Sequence, residues 1–94
     1  MRDYELIYII HPDIDEGNFN EINEKISGWI TEAGGSIQKV DLWGKRRLAY
    51  PIRKTREGQY VYVNTKMPPA FTKELESNLQ FLEPVLRYMI VAVN

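Results

Sequence analysis

The sequence contains no cysteine and a single histidine, His11. A disulfide scaffold and a thiolate metal site are therefore excluded, and the composition is compatible with a reducing compartment. A zinc site or a nucleophile-histidine dyad would rest on His11 alone, beside Pro12 at the end of an extended stretch. That setting fits a loop residue or partial helix cap better than a base or ligand. There is no glycine-rich phosphate loop and no His-Glu-x-x-His pattern. Asp13, Asp15 and Glu16 form a short acidic run without the glycine turn and distal glutamate of an EF-hand loop, so they read as a helix start. No metal, cofactor or small-molecule substrate is expected. No apolar run approaches the roughly 18 residues of a membrane span. The opening Met1-Arg2-Asp3-Tyr4-Glu5 is not a signal peptide, which makes the cytoplasm the expected compartment.

A cationic excess is also missing. With a net charge of −1 and a pI near 5.8, the chain is unlike a freestanding nucleic-acid-binding domain. The sum conceals a segregation. Asp13, Asp15, Glu16, Glu21, Glu24 and Glu32 fall in the first third, whereas Lys39, Lys45, Arg46, Arg47, Arg53, Lys54 and Arg56 lie in one stretch opposed up to Arg56 only by Asp41. A polyanion can approach one side of such a molecule only. The 94 residues, 44% hydrophobic and 27% charged, suit one globular domain over 1–94 with a single core.

Tyr4, Leu6, Tyr8 and Ile10 alternate with Asp3, Glu5, Ile7 and Ile9, a period of two with apolar residues on both faces toward its end, as in a central strand. His11-Pro12-Asp13 breaks it, and Asp13 or Asp15 is placed to cap a helix. Phe19, Ile22, Ile26, Trp29, Ile30 and Ala33 recur at spacings of three and four, predicting a helix over about 16–33 that ends at Gly34-Gly35. A second strand begins with Ile37, Val40 and Leu42 and can run to Ile52, with Gly44 suggesting a bulge. Thr55-Arg56-Glu57-Gly58 reads as the hairpin turn, with Gly58 at a positive φ, before a third strand over 59–65. Pro68 and Pro69 fit the first turn of a second helix carrying Phe71, Leu75, Leu79 and Leu82, stopped before Pro84; a fourth strand covers 85–93.

The order β-α-β-β-α-β folds most readily into an α+β, ferredoxin-like sandwich, a four-stranded antiparallel sheet with both helices on one face. Strands one and three lie in the middle, and the other sheet face is open unless a partner covers it. Tyr60 and Tyr62 share a face, as do Tyr4 and Tyr8. Three readings stand for these rings: base-stacking platforms, as on the sheets of RNA-recognition domains, the footing of a protein partner, or core. The basic run has two. Cations on an edge strand discourage edge-to-edge pairing; here Leu48, Ala49, Tyr50 and Ile52 sit among them, a mixture suited to contact with RNA or an acidic partner, since arginine forks take phosphate bidentately.

The run Gly44-Lys45-Arg46-Arg47-Leu48-Ala49-Tyr50-Pro51-Ile52-Arg53 resembles, at every position, the signature of the family formed by the sixth protein of the bacterial small ribosomal subunit. Met1-Arg2-Asp3-Tyr4-Glu5, the Pro12-Asp13-x-Asp15 helix start, Gly34-Gly35, Met67-Pro68 and Val85-Leu86-Arg87-Tyr88-Met89 also stand where that family has similar residues. The resemblance implies a noncatalytic component of the small subunit with the same split β-α-β fold. It implies pairing with the small, basic eighteenth small-subunit protein, and binding of the pair to the central domain of the small-subunit rRNA during assembly. Arg2, Lys45, Arg46, Arg47, Arg53, Lys54, Arg56 and Arg87 are then the candidates for RNA contact, and Leu48, Tyr50, Tyr60 and Tyr62 for the protein interface. Many relatives carry a polar tail beyond strand four, where this sequence has only Asn94. Two other readings are a freestanding single-strand RNA binder using Tyr4, Tyr60 and Tyr62, and a ferredoxin-like regulatory domain.

Overall fold

The computed structural model describes residues 1–93. Its elements are β1 (Arg2–Ile10), α1 (Glu16–Glu32), β2 (Ser36–Ile52), β3 (Thr55–Met67), α2 (Phe71–Phe81) and β4 (Val85–Val93). The strands form one antiparallel sheet in the order β2-β3-β1-β4, the ferredoxin-like arrangement with β1 and β3 at the centre. Among the described residues, no helix is long and apolar enough to cross a membrane.

One sheet face is filled by the helices. From β1 come Tyr4, Leu6, Tyr8 and Ile10, from β3 Val61, Val63 and Met67, and against them lie Phe19, Ile22, Ile26 and Ile30 of α1 with Phe71, Leu75 and Leu79 of α2. The two periodicities, two on the strands and 3.6 on the helices, thus meet in one layer. Asp15 caps α1: its Oδ1 accepts from the Asn18 amide at 2.8 Å and its Oδ2 from the Asn18 side chain at 3.1 Å. Asp13 does not cap; its amide donates to His11 Nδ1 at 3.1 Å, which makes His11 a loop-closing residue. The Gln59 amide completes that corner by donating to the carbonyls of His11, at 3.0 Å, and Ile14, at 3.3 Å.

Three sequence expectations need correction. The hairpin turn is not at 55–58: Ile52 pairs with Thr55 across Arg53 and Lys54, both with positive φ (49° and 65°). That is a two-residue turn of the kind that follows strand twist, built without glycine. Gly58 lies inside β3 opposite Arg46, where a Cβ would come within 2.2 Å of Ile9 Cγ2. Its role is close approach, not a positive φ. Pro68 and Pro69 precede α2 rather than starting it; Ala70 occupies the cap position with no side-chain bond, and the Phe71 amide donates to the Pro68 carbonyl at 3.0 Å. Tyr4 and Tyr8 belong to the helix-covered face and are 6% and 1% exposed, so Tyr4 cannot be a base-stacking ring.

Burial gives Tyr8 a measurable consequence. Its hydroxyl donates to Asn23 Oδ1 at 2.5 Å, and burial raises its pKa well above the ordinary phenol value. In the unfolded chain the phenol ionises near pH 10. Above that pH the unfolded state releases a proton that the folded state keeps. Stability therefore falls with rising pH, by about 1.4 kcal/mol per pH unit from this one residue. Urea midpoints are expected to decline from about pH 10 upward and to decline less steeply in Tyr8→Phe. An equal slope in the two proteins would rule Tyr8 out as the cause.

Candidate RNA and partner interface

The second sheet face has no helix on it. Alternation from the buried residues places Asp3, Glu5, Ile7 and Ile9 of β1 there, with Tyr60 and Tyr62 of β3 and Arg87, Met89, Val91 and Val93 of β4. Trp43 of β2, which sequence reasoning did not select, joins them. Between Leu42 and Gly44 the β2–β3 register shifts, and Gly44 takes φ +79°, a bulge that swings the indole over β3. Trp43 stacks on Tyr62 (centroids 5.6 Å, planes 9° apart) and on Tyr60 (6.4 Å, 18°). The Arg46 guanidinium lies 5.5 Å from the indole centroid, and its Nε donates to the Trp43 carbonyl at 3.5 Å. Tyr62 also donates from its hydroxyl to Glu5 Oε2. That bond, with some desolvation and the charges of Glu5 and Asp41, raises its phenol pKa.

The result is an aromatic slab flanked by aliphatic side chains. Met89, Val91 and Val93 are exposed and Trp43 is 37% exposed, and a groove of about 270 Å³ runs between Trp43, Tyr60, Ile7, Ile9, Arg87 and Met89. Asp3, Glu5 and Asp41 are the acids of this face, and they lie toward the Arg2 end or the middle of the strands. The other end is cationic.

That end is the β2–β3 hairpin. β1 reaches only as far as Gln59 in its pairing with β3, so residues 46–58 extend past the central strand and fold over the end of the sheet. Leu48, 9% exposed, packs on Ile9 and Leu86 with Ile52 and Tyr60 at its margin. Arg53 donates from Nη1 to the Glu83 carbonyl at 2.6 Å and from Nη2 to the Val85 carbonyl at 3.4 Å. Arg87 answers from β4, donating to the Tyr50 hydroxyl with its guanidinium 5.6 Å from the ring centroid. These two arginines clasp the hairpin to β4.

Of the eight candidate cations, the structure brings Lys45, Arg46, Arg47, Arg53, Lys54, Arg56 and Arg87 to the hairpin end. Arg2 pairs with Met67 at the opposite end of β1, roughly 25 Å away at about 3.3 Å per residue. Of the four candidate partner residues, Tyr60 and Tyr62 lie in the slab, Tyr50 is exposed but held by Arg87, and the Leu48 side chain is taken up inside the chain. A mixed surface results, with cations at one end and an uncovered apolar field beside them.

Known proteins are similar to this chain in sequence and in fold. The profile of the family described as Ribosomal protein S6 matches residues 3–92. The chain belongs to the ribosomal protein S6 family. It is similar to the small ribosomal subunit protein bS6 of Moorella thermoacetica, with 44% identity over 90 residues, 96% of this chain and 92% of that one. The bS6 of Carboxydothermus hydrogenoformans is 41% identical over 91 residues, 97% of this chain and 95% of the relative. In structure it is similar to the 30S ribosomal protein S6 of Thermotoga maritima, with a TM-score of 0.92 at 29% identity, covering 98% of this chain and 87% of the other. Membership makes this S6-family chain a structural constituent of the small ribosomal subunit, working in translation in the cytoplasm. Its relatives are structural ribosomal proteins, not enzymes.

Proposed function

We propose that this chain binds the central domain of the small-subunit rRNA jointly with the basic eighteenth small-subunit protein, without catalysing a reaction. The observation that carries this reading is the uncovered sheet face, where Trp43, Tyr60, Tyr62, Met89 and Val91 lie beside a cation-rich hairpin. An apolar field of this kind suits a protein partner; of the acids within it Asp41 is held by Lys39 at 4.0 Å, and Asp3 and Glu5 favour a basic one. The hairpin cations suit phosphate. Division of labour also accounts for the net charge: a chain at −1 sits on RNA when a cationic partner neutralises many of the phosphates.

Affinity for RNA is therefore expected to depend on the partner. If this chain itself neutralises about three phosphates, the duplex slope of roughly 0.9 per phosphate gives about a fortyfold loss between 50 and 200 mM salt. The test is a titration of a central-domain rRNA fragment with this chain, with the basic partner, and with both. Weak binding by the chain alone and a large gain with the partner are expected. Tight binding alone, or no gain from the partner, overturns the cooperative reading.

A further inference from the structure

The β2–β3 ladder contains an irregularity larger than an ordinary bulge. Arg47 pairs with Glu57 and Ile52 with Thr55, so residues 48–51 on one strand stand against Arg56 alone on the other. The usual bulge opposes two residues to one. Here the excess forms an arch, and each of its anchors lies within the chain. Leu48 is buried on Ile9 and Leu86, Tyr50 is held by Arg87, and Arg53, just beyond the arch, is held by the Glu83 and Val85 carbonyls.

A concavity of about 120 Å³ is left in the arch, with Arg47 and Arg56 both in its lining beside Tyr50 and Pro51. Small-molecule and cofactor sites begin at roughly 300 Å³, so this one admits a group of a few atoms and no nucleobase. Arg47 and Arg56 are exposed, and among the described residues neither has a carboxylate within ion-pair distance or a hydrogen bond to a protein acceptor. Glu57 stands across from Arg47 in the register, but their side chains form no ion pair. Two free guanidinium forks at a small fixed concavity match a tetrahedral anion, which they can bind bidentately.

We propose that the arch seats one backbone phosphate of RNA, with Arg47 and Arg56 as its cationic ligands and with Arg53 and Arg87 as positioning residues that do not touch the nucleic acid. This rests on the rRNA reading above and divides its cations into two roles. Arg53 and Arg87 spend their donors on the protein; Arg47 and Arg56 keep theirs for the ligand.

Salt dependence separates the roles, because only a group that neutralises a phosphate changes the slope of log K against log salt. The measurement is made on the rRNA fragment with the basic partner present, and thermal midpoints confirm that each variant is folded. Arg47→Ala and Arg56→Ala are each expected to flatten the slope by up to about 0.9, and the double variant by no more than that, since both forks serve one phosphate. Arg53→Ala is expected to weaken binding with the slope unchanged, and to speed amide exchange over residues 48–56. Wild-type slopes in Arg47→Ala and Arg56→Ala overturn the seat while leaving rRNA binding intact, as does a double-variant loss approaching about 1.8, which would mean two phosphates. A flattened slope in Arg53→Ala overturns its positioning role. Absence of RNA binding by the wild-type pair overturns the seat and the broader reading together.

Discussion

Replacing Gly35 with alanine is expected to cost about 3 kcal/mol of stability and to lower the thermal midpoint by roughly 15 °C. A Cβ there would lie 2.5 Å from the Lys66 carbonyl oxygen and 2.9 Å from both the carbonyl oxygen and Cγ2 of Ile30. Two of those atoms are backbone, one in β3 and one in α1, and neither can move alone. The Gly35 amide also donates to that Ile30 carbonyl at 2.9 Å, so relief by shifting the chain would break the bond that closes the helix. Gly28 supplies the contrast. It lies within α1, and apart from its chain neighbours and the helix's own backbone nothing comes within 4 Å of the position of a Cβ, so Gly28→Ala is expected to gain about 0.5–1 kcal/mol through the better helix propensity of alanine. Thermal and urea denaturation of the two variants check the pair. A small effect at Gly35 would mean that the α1–β2 corner is softer than its geometry.

The Gly34-Gly35 pair also shows where sequence reasoning stops. Helix termination was legible, and Gly34 does take a positive φ of 89°. The tightest demand on Gly35 comes from Lys66, thirty-one positions away, and no local pattern carries that one. The same division runs through the fold. Strands and helices with one buried face declare their period, so β1, α1 and α2 were readable from apolar spacing. The hairpin turn was misplaced because Gly58 is the conspicuous turn former, while the fold puts Arg53 and Lys54 into the left-handed region and needs Gly58 for the approach of Ile9. Tyr4 and Tyr60 look alike in a strand pattern. Which of them faces the helices follows from pairing the strands, and that pairing puts Tyr4 under α1 and α2.

The candidate interface was legible as composition and opaque as geometry. Cations and apolar residues crowded together in 44–53 marked the segment. Nothing local distinguished Arg53 and Arg87, whose donors are used within the protein, from Arg47 and Arg56, whose donors are free, because the distinction rests on contacts across about thirty residues or more. Trp43 was overlooked for a similar reason. It sits one residue before Gly44, and only the register shift between Leu42 and Gly44 settles that its ring lies on the open face. A tryptophan next to a bulge-forming glycine was the available signal.

Trp43→Ala is expected to weaken binding of the basic partner by at least about 2 kcal/mol, roughly thirtyfold, while changing the stability of the free chain little. The argument is positional. Trp43 is the largest side chain of the open face, it is already ordered by stacking on Tyr62 and Tyr60, and Arg46 stacked on it keeps a cation at the boundary with the hairpin. A partner that covers the slab gains the remaining indole surface without ordering a flexible side chain, the usual profile of an aromatic anchor. Phe81 is the control. It is 83% exposed at the end of α2, on the helix side of the sheet, and Phe81→Ala is expected to leave partner affinity unchanged. Titration calorimetry on both variants decides which side of the sheet the partner uses. Loss of affinity at Phe81 with none at Trp43 would move the docking surface to the helices and leave the aromatic slab without its proposed occupant.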